Sequence, residues 1–561
     1  MDRQADHPQG APAQGPPGGR ARVRGVRVGR AGGRGGEAGD HGPGRRAEEG
    51  AEAGLRRDLP PLRPLKKKPP RNELRLAMRR GDTYRRYMSP IVVLALAAAS
   101  AVVFAARRFP MRAAVLGLVI AAGLLSRPLA CRPEAASESQ FPEVLSHREQ
   151  AVRINAWMET RLATLLPGLM RRAGIDMWLV INREYAEDPV YLTMVPRPAM
   201  NSMGTVALIF HDKGSEAGVE RLCSGPRGVA GYRNIWRPRD KAQFDNLADF
   251  IRAADPKRIG VNVSDKWPLA DGLTASLKRR LEAALGPELS RRLVSAEDLC
   301  VGWLETRTAG EMEAYRDVCA IAHSLIAEFF SNRVITPEVT TTDDVVWWVR
   351  QRVASLGMEC WFQPTIDIRR PKREMEKDPD DKVIRPGDLL HCDVGITYLG
   401  LCTDMQWQAY VLRPGETDAP AGLQKALDNA NRVADLLMAE FRTGRTGAEI
   451  VGAAMARGKA EGLNLMIYSH PVGFHGHAAG CTPDARDPAT IDEVNVSKWS
   501  YPLYPDTAYA IEFNCRTPAA EWDGEDVYIG FEENAIFTEA GGCRFIDGRQ
   551  TRFLLIRSGP R

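Results

Sequence analysis

From residue 384 onward, this chain is predicted to form mainly short strands, several of which carry a carboxylate where an apolar residue is expected. The strand-like runs are DLLHCDVGI, MQWQAYVL, AYAIEFN and VYIGFEENAIFT. Two long amphipathic helices are predicted just before them, and helical periodicity returns only at about 421–461. Helices followed by a block of strands predict an α+β domain, which we place at 306–561.

A smaller α/β domain is predicted over 140–305, because helical and strand-like patterns alternate there. The segment HREQAVRINAWMETRLATLLPGLMRRAG has helical spacing and ends on a glycine that can cap a helix. The runs DMWLVIN, VALIFH and RIGVNV are short and apolar, as in strands, and LTASLKRRLEAALG is another amphipathic helix. The region contains neither a GxGxxG motif nor a P-loop, so no nucleotide-binding signature indicates its function.

The N-terminal 134 residues are predicted to lie outside both domains. Residues 1–87 are rich in Gly, Ala, Pro and Arg, so we interpret them as a disordered leader or as the result of a misassigned start codon. Residues 88–134 contain two apolar runs shorter than the ~20 residues that span a bilayer. The second run, read from Met111, resembles an export signal that ends before Cys131. We therefore predict export, with a lipid anchor or a membrane hairpin as alternatives; a cytoplasmic location follows if the leader is an artefact.

The charge gives no indication of a nucleic-acid-binding protein, and the cysteine spacing argues against a small zinc- or disulfide-stabilised protein. The net charge of +5 does not predict nucleic-acid binding, because much of the excess lies in the first 110 residues. The ten cysteines include no CxxC pair, which argues against a zinc ribbon or a small disulfide scaffold. Cysteines such as Cys392 and Cys402 lie in apolar strand-like runs, where buried free thiols are expected.

Two aspartates lie in neighbouring strand-like runs of DVGITYLGLCTDMQ. If the chain folds back at Tyr398–Leu399, residues whose numbers sum to 797 face one another, and Asp393 and Asp404 form such a pair. Their Cβ atoms would then lie about 5 Å apart. Like charges buried at that distance are destabilising, and a cation between them would reverse the sign of the interaction. The pattern fits either a metal site or two unrelated turn aspartates in another register.

The last two strands repeat this anomaly. Glu512 interrupts the apolar run AYAIEFN, and Glu532 and Glu533 interrupt VYIGFEENAIF. Successive side chains of a strand point to opposite faces, so one of the two adjacent glutamates is predicted to point inward beside Glu512. For any one glutamate alone, a solvated acid on an edge strand is the alternative.

Three of the nine histidines are concentrated in HPVGFHGHAAG, residues 470–480, on a glycine-rich backbone without a helical period. Two uses fit: a metal site, or a loop where small residues let backbone and substrate approach closely. Four carboxylates and one imidazole can hold two divalent ions, and such a ligand set suits Mn, Co, Fe or Zn. Two ions about 3.5–4 Å apart can activate a water and polarise a carbonyl, so metal-assisted hydrolysis is predicted.

Taken together, these motifs resemble the metallopeptidase family of aminopeptidase P, prolidase, methionine aminopeptidase and creatinase. DVGITYLGLCTD is similar to the family's Asp-x10-Asp hairpin, FHGHAAG to its His-Gly segment, IEF to its strand glutamate, and FEENAIFT to its closing strand. The resemblance spans roughly 140–555. It implies an α+β fold, with a pita-bread catalytic domain preceded by a smaller α/β creatinase-like N-terminal domain.

The resemblance also implies a metal centre with two divalent ions, here Mn, Zn, Co or Fe. In that family pattern Asp404 and Glu532 would bridge the ions, and Glu512 would help to deprotonate the bridging water. Alignment of ENAIFT with the closing strand selects Glu532 over Glu533. The implied ligands are Asp393, Asp404, His475, Glu512 and Glu532.

Four family features are replaced in this chain. The family usually carries a histidine seven residues after the metal histidine, and counting from His475 gives Thr482. Another histidine usually lies some 18 residues before the first aspartate, where this chain has RRPKREMEKDPDD. Pro-Gly after the strand glutamate is replaced by Phe-Asn at 513–514, and the arginine after the second aspartate by Gln-Trp at 406–407.

In the family, the two replaced histidines bind the scissile amide, so nearby histidines are candidates to take over that role. His477 and His470 are the candidates, as donors to an oxyanion. The alternatives are a supporting structural role for His477 and a turn role before Pro471 for His470. His391 precedes Asp393 by two residues, so it is predicted to share its face and to support it.

The resemblance therefore implies a dinuclear metal hydrolase, an Xaa-Pro-type aminopeptidase or dipeptidase that cleaves short peptides with Glu512 as base. Two alternatives stay open. One is a creatinase-like C–N hydrolase acting on a small non-peptide amide, which the replaced histidines favour; the other is a peptide-binding relative without catalysis. A homodimer is expected from the family, no nucleic-acid partner is expected, and a membrane is expected only through the N-terminal signal or anchor.

Overall fold

The computed structural model describes residues 141–486 and 499–559. The leader predicted at 1–87 and the apolar segments predicted at 88–134, with the export signal, lie outside the described residues and stay predictions. Within the described part, no helix is both long enough and apolar enough to cross a membrane. The described residues all fall in one compact unit, Pro133–Arg561, so the boundary predicted between the two domains also stays a prediction.

The first part of the described chain is a six-stranded mixed sheet with helices packed on both faces. Its elements are α1 His147–Thr164, α2 Leu166–Ala173, β1 Met177–Arg183, β2 Thr205–Asp212, β3 Val219–Ser224, β4 Arg233–Asn234, α3 Gln243–Ala254, β5 Ile259–Val261, α4 Ala275–Ser290, β6 Leu293–Ser295 and α5 Glu297–Glu305. The strand order is β4-β3-β2-β1-β5-β6, in which β1 pairs antiparallel with β2 and parallel with β5. The predicted N-terminal α/β fold is confirmed.

The central strand β1 shows why this sheet needs a continuous apolar run. Trp178 and Val180 pack with α1, α2 and α5, whereas Leu179 and Ile181 pack with α3 and α4 on the other face. A strand covered on both faces has no solvated side, so its sequence does not alternate between apolar and polar residues.

The single helix predicted at the start of this domain is two helices, α1 and α2, divided at Leu165. Pro167 lies in the first turn of α2, where its missing N–H prevents it from continuing the hydrogen bonds of α1. Gly174 caps α2 in the left-handed conformation, with φ of 61°, which glycine adopts without strain. The predicted glycine cap is confirmed, and the prediction of one continuous helix is wrong.

The second part is built around a nine-stranded sheet and a small three-stranded sheet. Its elements are α6 Ala309–Phe329, α7 Thr342–Ser355, β7 Glu359–Cys360, β8 Thr365–Arg369, α8 Lys372–Met375, β9 Leu389–Val394, β10 Ile396–Tyr398, β11 Leu401–Cys402, β12 Met405–Val411, α9 Ala421–Met438, α10 Gly447–Ala460, β13 Asn464–Ile467, β14 His470–Pro471, β15 Thr507–Pro518, β16 Asp526–Thr538, β17 Gly542–Phe545 and β18 Leu554–Ile556. The main path of the large sheet is β13-β15-β16-β12-β9-β8, and β14 pairs with β15. The predicted α+β class is confirmed, with two long helices before the strands and two within about 421–461, and the short helix α8 was not predicted.

Two pairs of helices cover the large sheet, each over a different half. The helices α6 and α7 pack against apolar residues of β9 and β12, such as Cys392 and Ala409. The helices α9 and α10 pack against apolar residues of β15 and β16, such as Phe513 and Phe531. Most polar residues of these strands alternate with the packed apolar ones, so they lie on the opposite face of the sheet.

The hairpin that carries the two aspartates turns one residue later than predicted. Leu399 and Gly400 occupy the turn, with positive φ values of 55° and 72°, as in a two-residue type I′ turn. Numbers of paired residues therefore sum to 799 rather than 797. Asp393 pairs with Gln406 and not with Asp404, so the predicted register is wrong.

Candidate metal centre

Four carboxylates meet on one face of the large sheet. Glu512 of β15 pairs directly with Glu532 of β16. Gln406 of β12 pairs with Glu532 on one side and with Asp393 of β9 on the other. Paired residues of neighbouring strands point to the same face, so the register alone brings these side chains together.

Asp404 joins this group despite the shifted register. It precedes Gln406 by two residues, and a step of two along a strand keeps a side chain on the same face. Carboxylate oxygens of Asp393, Asp404 and Glu532 all lie within 4.8 Å of one another. The close pair of aspartates that the sequence predicts is therefore present, as diagonal rather than directly opposed neighbours.

The two adjacent glutamates of β16 point to opposite faces. Glu532 points to the carboxylate group, and its side chain is only 1% exposed. Glu533 points away and accepts hydrogen bonds from Trp407 Nε1 and His323 Nε2, the latter at 3.0 Å. Although burial works against it, contact with Asp547 and Glu533 raises the pKa of His323 to about 9. Glu533 thus has its own cationic partner and takes no part in the carboxylate group.

The structure brings His470 into the carboxylate group. Its Nε2 lies 3.6 Å from Asp404 Oδ2, 3.6 Å from Glu512 Oε2 and 3.5 Å from Glu532 Oε1. Its Nδ1 lies 3.0 Å from the carbonyl oxygen of Pro471, which can only accept, so Nδ1 carries the hydrogen. In the neutral ring, the lone pair of Nε2 is therefore directed at the carboxylates, as a metal ligand requires.

His475, the histidine expected among the ligands, lies elsewhere. Within the described residues it belongs to none of the groups whose side chains are close enough to share a metal ion. Burial, together with the cationic Arg307, lowers the pKa of His475 to about 4. A neighbouring cation also disfavours a divalent ion at this position. The structure thus places His470, and not His475, beside the carboxylates.

His477 lies at the exposed side of the same group. One of its ring nitrogens lies within 4.8 Å of a carboxylate oxygen of Asp404 and a ring nitrogen of His470. The rings of His470 and His477 meet edge to face, with centroids 4.6 Å apart. Because His477 is exposed whereas Asp404 is buried, His477 is the group that a bound molecule reaches first.

An aromatic pair, not predicted from the sequence, lies beside His477. The centroid of the Trp361 ring is 5.2 Å from that of His477 and 4.5 Å from that of Phe362. A Cβ atom at Gly476 would lie 2.1 Å from the Trp361 ring, and one at Gly395 would lie 2.0 Å from its Nε1. Gly476, between His475 and His477, therefore leaves the space that the indole of Trp361 needs.

The charges and unpartnered atoms of the group fit a pair of divalent cations. Asp393 Oδ1, Glu532 Oε1 and His470 Nε2 are buried and have no hydrogen-bond partner. Burial raises the pKa of Asp404, Glu512 and Glu532, and the neighbouring carboxylates raise each further. Without a cation, this arrangement is stable only if protons neutralise part of the charge. Oxygen-rich donors with one imidazole suit Mn, Zn, Co or Fe.

The carboxylates also predict how stability depends on pH. Burial first, and then Asp367, raise the pKa of Asp393 to about 6. Such a group stabilises the metal-free fold at low pH, and this contribution, on the order of 3 kcal/mol, is lost as the pH rises through about 6. With a chelator present, we therefore expect Asp393→Asn to leave Tm unchanged at pH 4 and to raise it at pH 8.

Differential scanning fluorimetry of both proteins between pH 4 and pH 8 measures this difference. Added Mn²⁺ is expected to reverse the trend in the wild type, because the ion favours the ionised carboxylates. A difference between the two proteins that does not grow as the pH rises would contradict the assignment of Asp393 to a buried, charge-repelled group.

Comparison with known proteins agrees with this geometry. Residues 313–547 match metallopeptidase family M24, a span that contains all of the clustered carboxylates and histidines. The chain is a distant member of family M24. A search of curated proteins finds no match to this chain.

Two solved structures show the same fold as this M24 protein. The X-Pro aminopeptidase from Thermotoga maritima MSB8 is 16% identical, with a TM-score of 0.50, and the match covers 69% of this chain and 99% of that one. Dipeptidase PepE from Mycobacterium ulcerans is 17% identical, with a TM-score of 0.50 and coverage of 72% and 99%. The similarity extends over both parts of the described chain, which confirms a smaller N-terminal domain followed by a pita-bread region.

The position after the second aspartate distinguishes this M24 protein from the family pattern. Gln406 is found close to where the family often has an arginine, and its Nε2 lies 2.8 Å from Glu512 Oε1 and 3.0 Å from Glu532 Oε2. His391 lies two residues before Asp393 on β9, and its Nε2 lies 2.9 Å from Gln406 Oε1. The sequence could not assign this contact to Gln406, because it depends on the strand register.

Proposed function

We propose that this M24 protein is a dinuclear metal-dependent hydrolase that acts as an aminopeptidase or dipeptidase on short peptides, including Xaa-Pro peptides. The observation that carries the proposal is the group of four carboxylates, three of which face His470 Nε2, and in this site three buried atoms have no hydrogen-bond partner. Such a group is costly for the fold unless it binds cations.

The proposed ligand set follows from which side chains lie together. Asp404 and Glu532 are proposed as the bridging ligands by family resemblance, and both are almost fully buried. The family spacing of seven residues between the metal histidine and a second histidine leads from His470 to His477, which supports His470 over His475. The proposed ligands are Asp393, Asp404, His470, Glu512 and Glu532.

Each remaining polar group has a proposed task in hydrolysis. Two divalent ions bound at these ligands would supply an activated water and polarise the scissile carbonyl. Glu512 is the most exposed of the three carboxylates facing His470, with a side chain 17% exposed, and would accept the proton of that water. His477 would donate a hydrogen bond to the developing oxyanion.

The aromatic pair beside His477 supports a preference for a small apolar residue next to the scissile bond. Trp361 and Phe362 are only partly buried, so their rings are available for packing. Trp361 is fixed by a hydrogen bond from Nε1 to the carbonyl oxygen of Thr403, 2.7 Å long. A proline ring packs well on an aromatic surface, which accords with Xaa-Pro peptides as substrates.

Digestion of a peptide library tests the proposed function. The purified full-length chain is incubated with Mn²⁺ or Zn²⁺, and mass spectrometry identifies the released residues. Loss of single N-terminal residues or cleavage of dipeptides supports the proposal. Cleavage of small amides or guanidino compounds alone would replace it by creatinase-like C–N hydrolysis. A protein that binds peptides and no metal would replace it by peptide binding without catalysis.

Replacing His477 tests whether it stabilises the oxyanion or binds a metal ion. We expect His477→Ala to lower kcat by about 10²–10³, the usual loss for one oxyanion donor. The metal content is expected to stay at the wild-type value, measured by elemental analysis after gel filtration. Loss of an ion together with activity would instead identify His477 as a ligand, and unchanged kcat would remove it from the mechanism.

A further inference from the structure

A line of polar side chains runs from the edge of the sheet to the proposed metal ligands. Asp367 Oδ2 lies 3.2 Å from His391 Nδ1, and His391 Nε2 lies 2.9 Å from Gln406 Oε1. Gln406 Nε2 in turn donates to Glu512 Oε1 and Glu532 Oε2. These residues come from strands β8, β9, β12, β15 and β16, so the line connects five strands.

The partners fix which way the amide of Gln406 points. The two carboxylates can only accept when ionised, so the NH2 group must face them, and its two hydrogens match two acceptors. The amide oxygen then faces His391 Nε2, which must carry the hydrogen of the neutral ring in order to donate to it. Gln406 is buried and His391 is 5% exposed, so water competes little for either contact.

Gly530, on the neighbouring strand β16, leaves space for the contact between Gln406 and His391. A Cβ atom at Gly530 would lie 2.6 Å from Gln406 Oε1 and 2.9 Å from His391 Nε2. Any larger residue at position 530 would therefore push the amide and the imidazole apart. Gly530 pairs with Asn514 across β15, so it is a regular strand position and not a turn that needs glycine for its backbone.

We propose that Gln406 is the positioning residue that holds Glu512 and Glu532 in their metal-binding arrangement, and that His391 fixes the orientation of its amide. The amide ties together two neighbouring carboxylates that would otherwise repel one another. It carries no charge, unlike the arginine often found close by in the family, so the full negative charge of the group remains for divalent ions. This inference rests on the proposed metal-dependent function.

Metal affinity tests the proposal directly. Titration calorimetry with Mn²⁺ is performed on the full-length wild type and on Gln406→Leu, and Mn²⁺ EPR reports whether two coupled ions are bound. We expect the dissociation constant of Gln406→Leu to rise by about 10–100-fold, the usual effect of removing a hydrogen-bonded support of metal ligands. The matched control is Gln424→Leu, because the exposed amide of Gln424 contacts only Asp428 and the carbonyl oxygen of Thr551 among the described residues.

Gly530→Ala and His391→Leu test whether the support acts through Gln406. Each is expected to weaken Mn²⁺ binding in the wild type and to add no further loss in the Gln406→Leu background, because coupled residues are non-additive. Gly530→Ala removes no polar atom, so it remains informative if Gln406→Leu fails to fold in thermal unfolding.

The outcomes separate this inference from the proposed function. If the wild type binds Mn²⁺ and Gln406→Leu and Gly530→Ala bind it with the same affinity, the positioning role is overturned while the metal centre stands. If His391→Leu weakened Mn²⁺ binding equally in the wild type and in the Gln406→Leu variant, the supporting role of His391 would be overturned. A wild type that binds neither Mn²⁺ nor Zn²⁺ would overturn the proposed function, and the inference with it.

Discussion

Glu532→Gln is expected to abolish binding of two divalent ions and to lower kcat/KM on a cleaved peptide by about a thousandfold or more. Glu532 is a proposed ligand at the centre of the strand pairing, since it pairs with Glu512 on one side and with Gln406 on the other. A metal ion contributes several kcal/mol to stabilising the transition state, and about 1.4 kcal/mol corresponds to a tenfold change in rate. Elemental analysis and steady-state kinetics measure the two losses.

The neighbouring residue provides a closely matched control. Glu533→Gln makes the same chemical change on the same strand at the same depth, because both glutamates are 1% exposed. Its side chain, however, contacts His323 and Trp407 on the opposite face. Glu533→Gln is therefore expected to lower Tm and to keep both ions. If the two variants lost metal to the same extent, the assignment of Glu532 and Glu533 to opposite faces of the sheet would be wrong.

The carboxylates of the site were accessible to sequence reasoning because each breaks a local pattern. Glu512 and Glu532 interrupt runs that pack against helices, and strand alternation alone decides that one of two adjacent glutamates points inward. The two aspartates are close together, as predicted, although the predicted strand register is wrong. The true turn is displaced by one residue, and the resulting shift of two positions leaves Asp404 on the face of Asp393.

Contacts between residues from distant segments could not be predicted from the sequence. The sequence marks Gln406 only as part of a replaced family position, and it is the pairing of three strands that places its amide between two carboxylates. Trp361 reads as a loop aromatic, and only the fold places its indole against Gly476 beside His477. Both assignments depend on cross-strand register or tertiary packing, which residue spacing along the chain does not encode.

The proposed histidine ligand could be predicted only in part: the sequence indicates the right segment, but not the right histidine within it. The segment FHGHAAG drew attention to His475 because it is similar to the family's His-Gly segment. The same spacing of seven residues leads back from His477 to His470, but counting forward from His475 concealed this and gave Thr482. The structural reason is that His470 pairs with Ala510 of β15, two residues from Glu512, whereas His475 lies beyond that strand, near Arg307.

His470→Ala is accordingly expected to lose metal and to lower kcat/KM by about a thousandfold or more, as for the loss of any direct ligand. Its Nε2 is the one imidazole nitrogen that lies within 3.6 Å of three proposed ligand carboxylates among the described residues. Elemental analysis and Mn²⁺ titration of the purified variant measure the loss of metal, and peptide hydrolysis measures the loss of activity.

His475→Ala is the decisive comparison, because it removes the same ring from the same loop five residues away. We expect it to keep both ions and to change kcat/KM by less than about tenfold, since its neutral, half-buried imidazole lies near Arg307 and not near the carboxylates. Its main effect is expected on Tm. If His475→Ala lost metal while His470→Ala retained it, the nitrogen ligand would have to be reassigned, and His470 would be left without a role in the site.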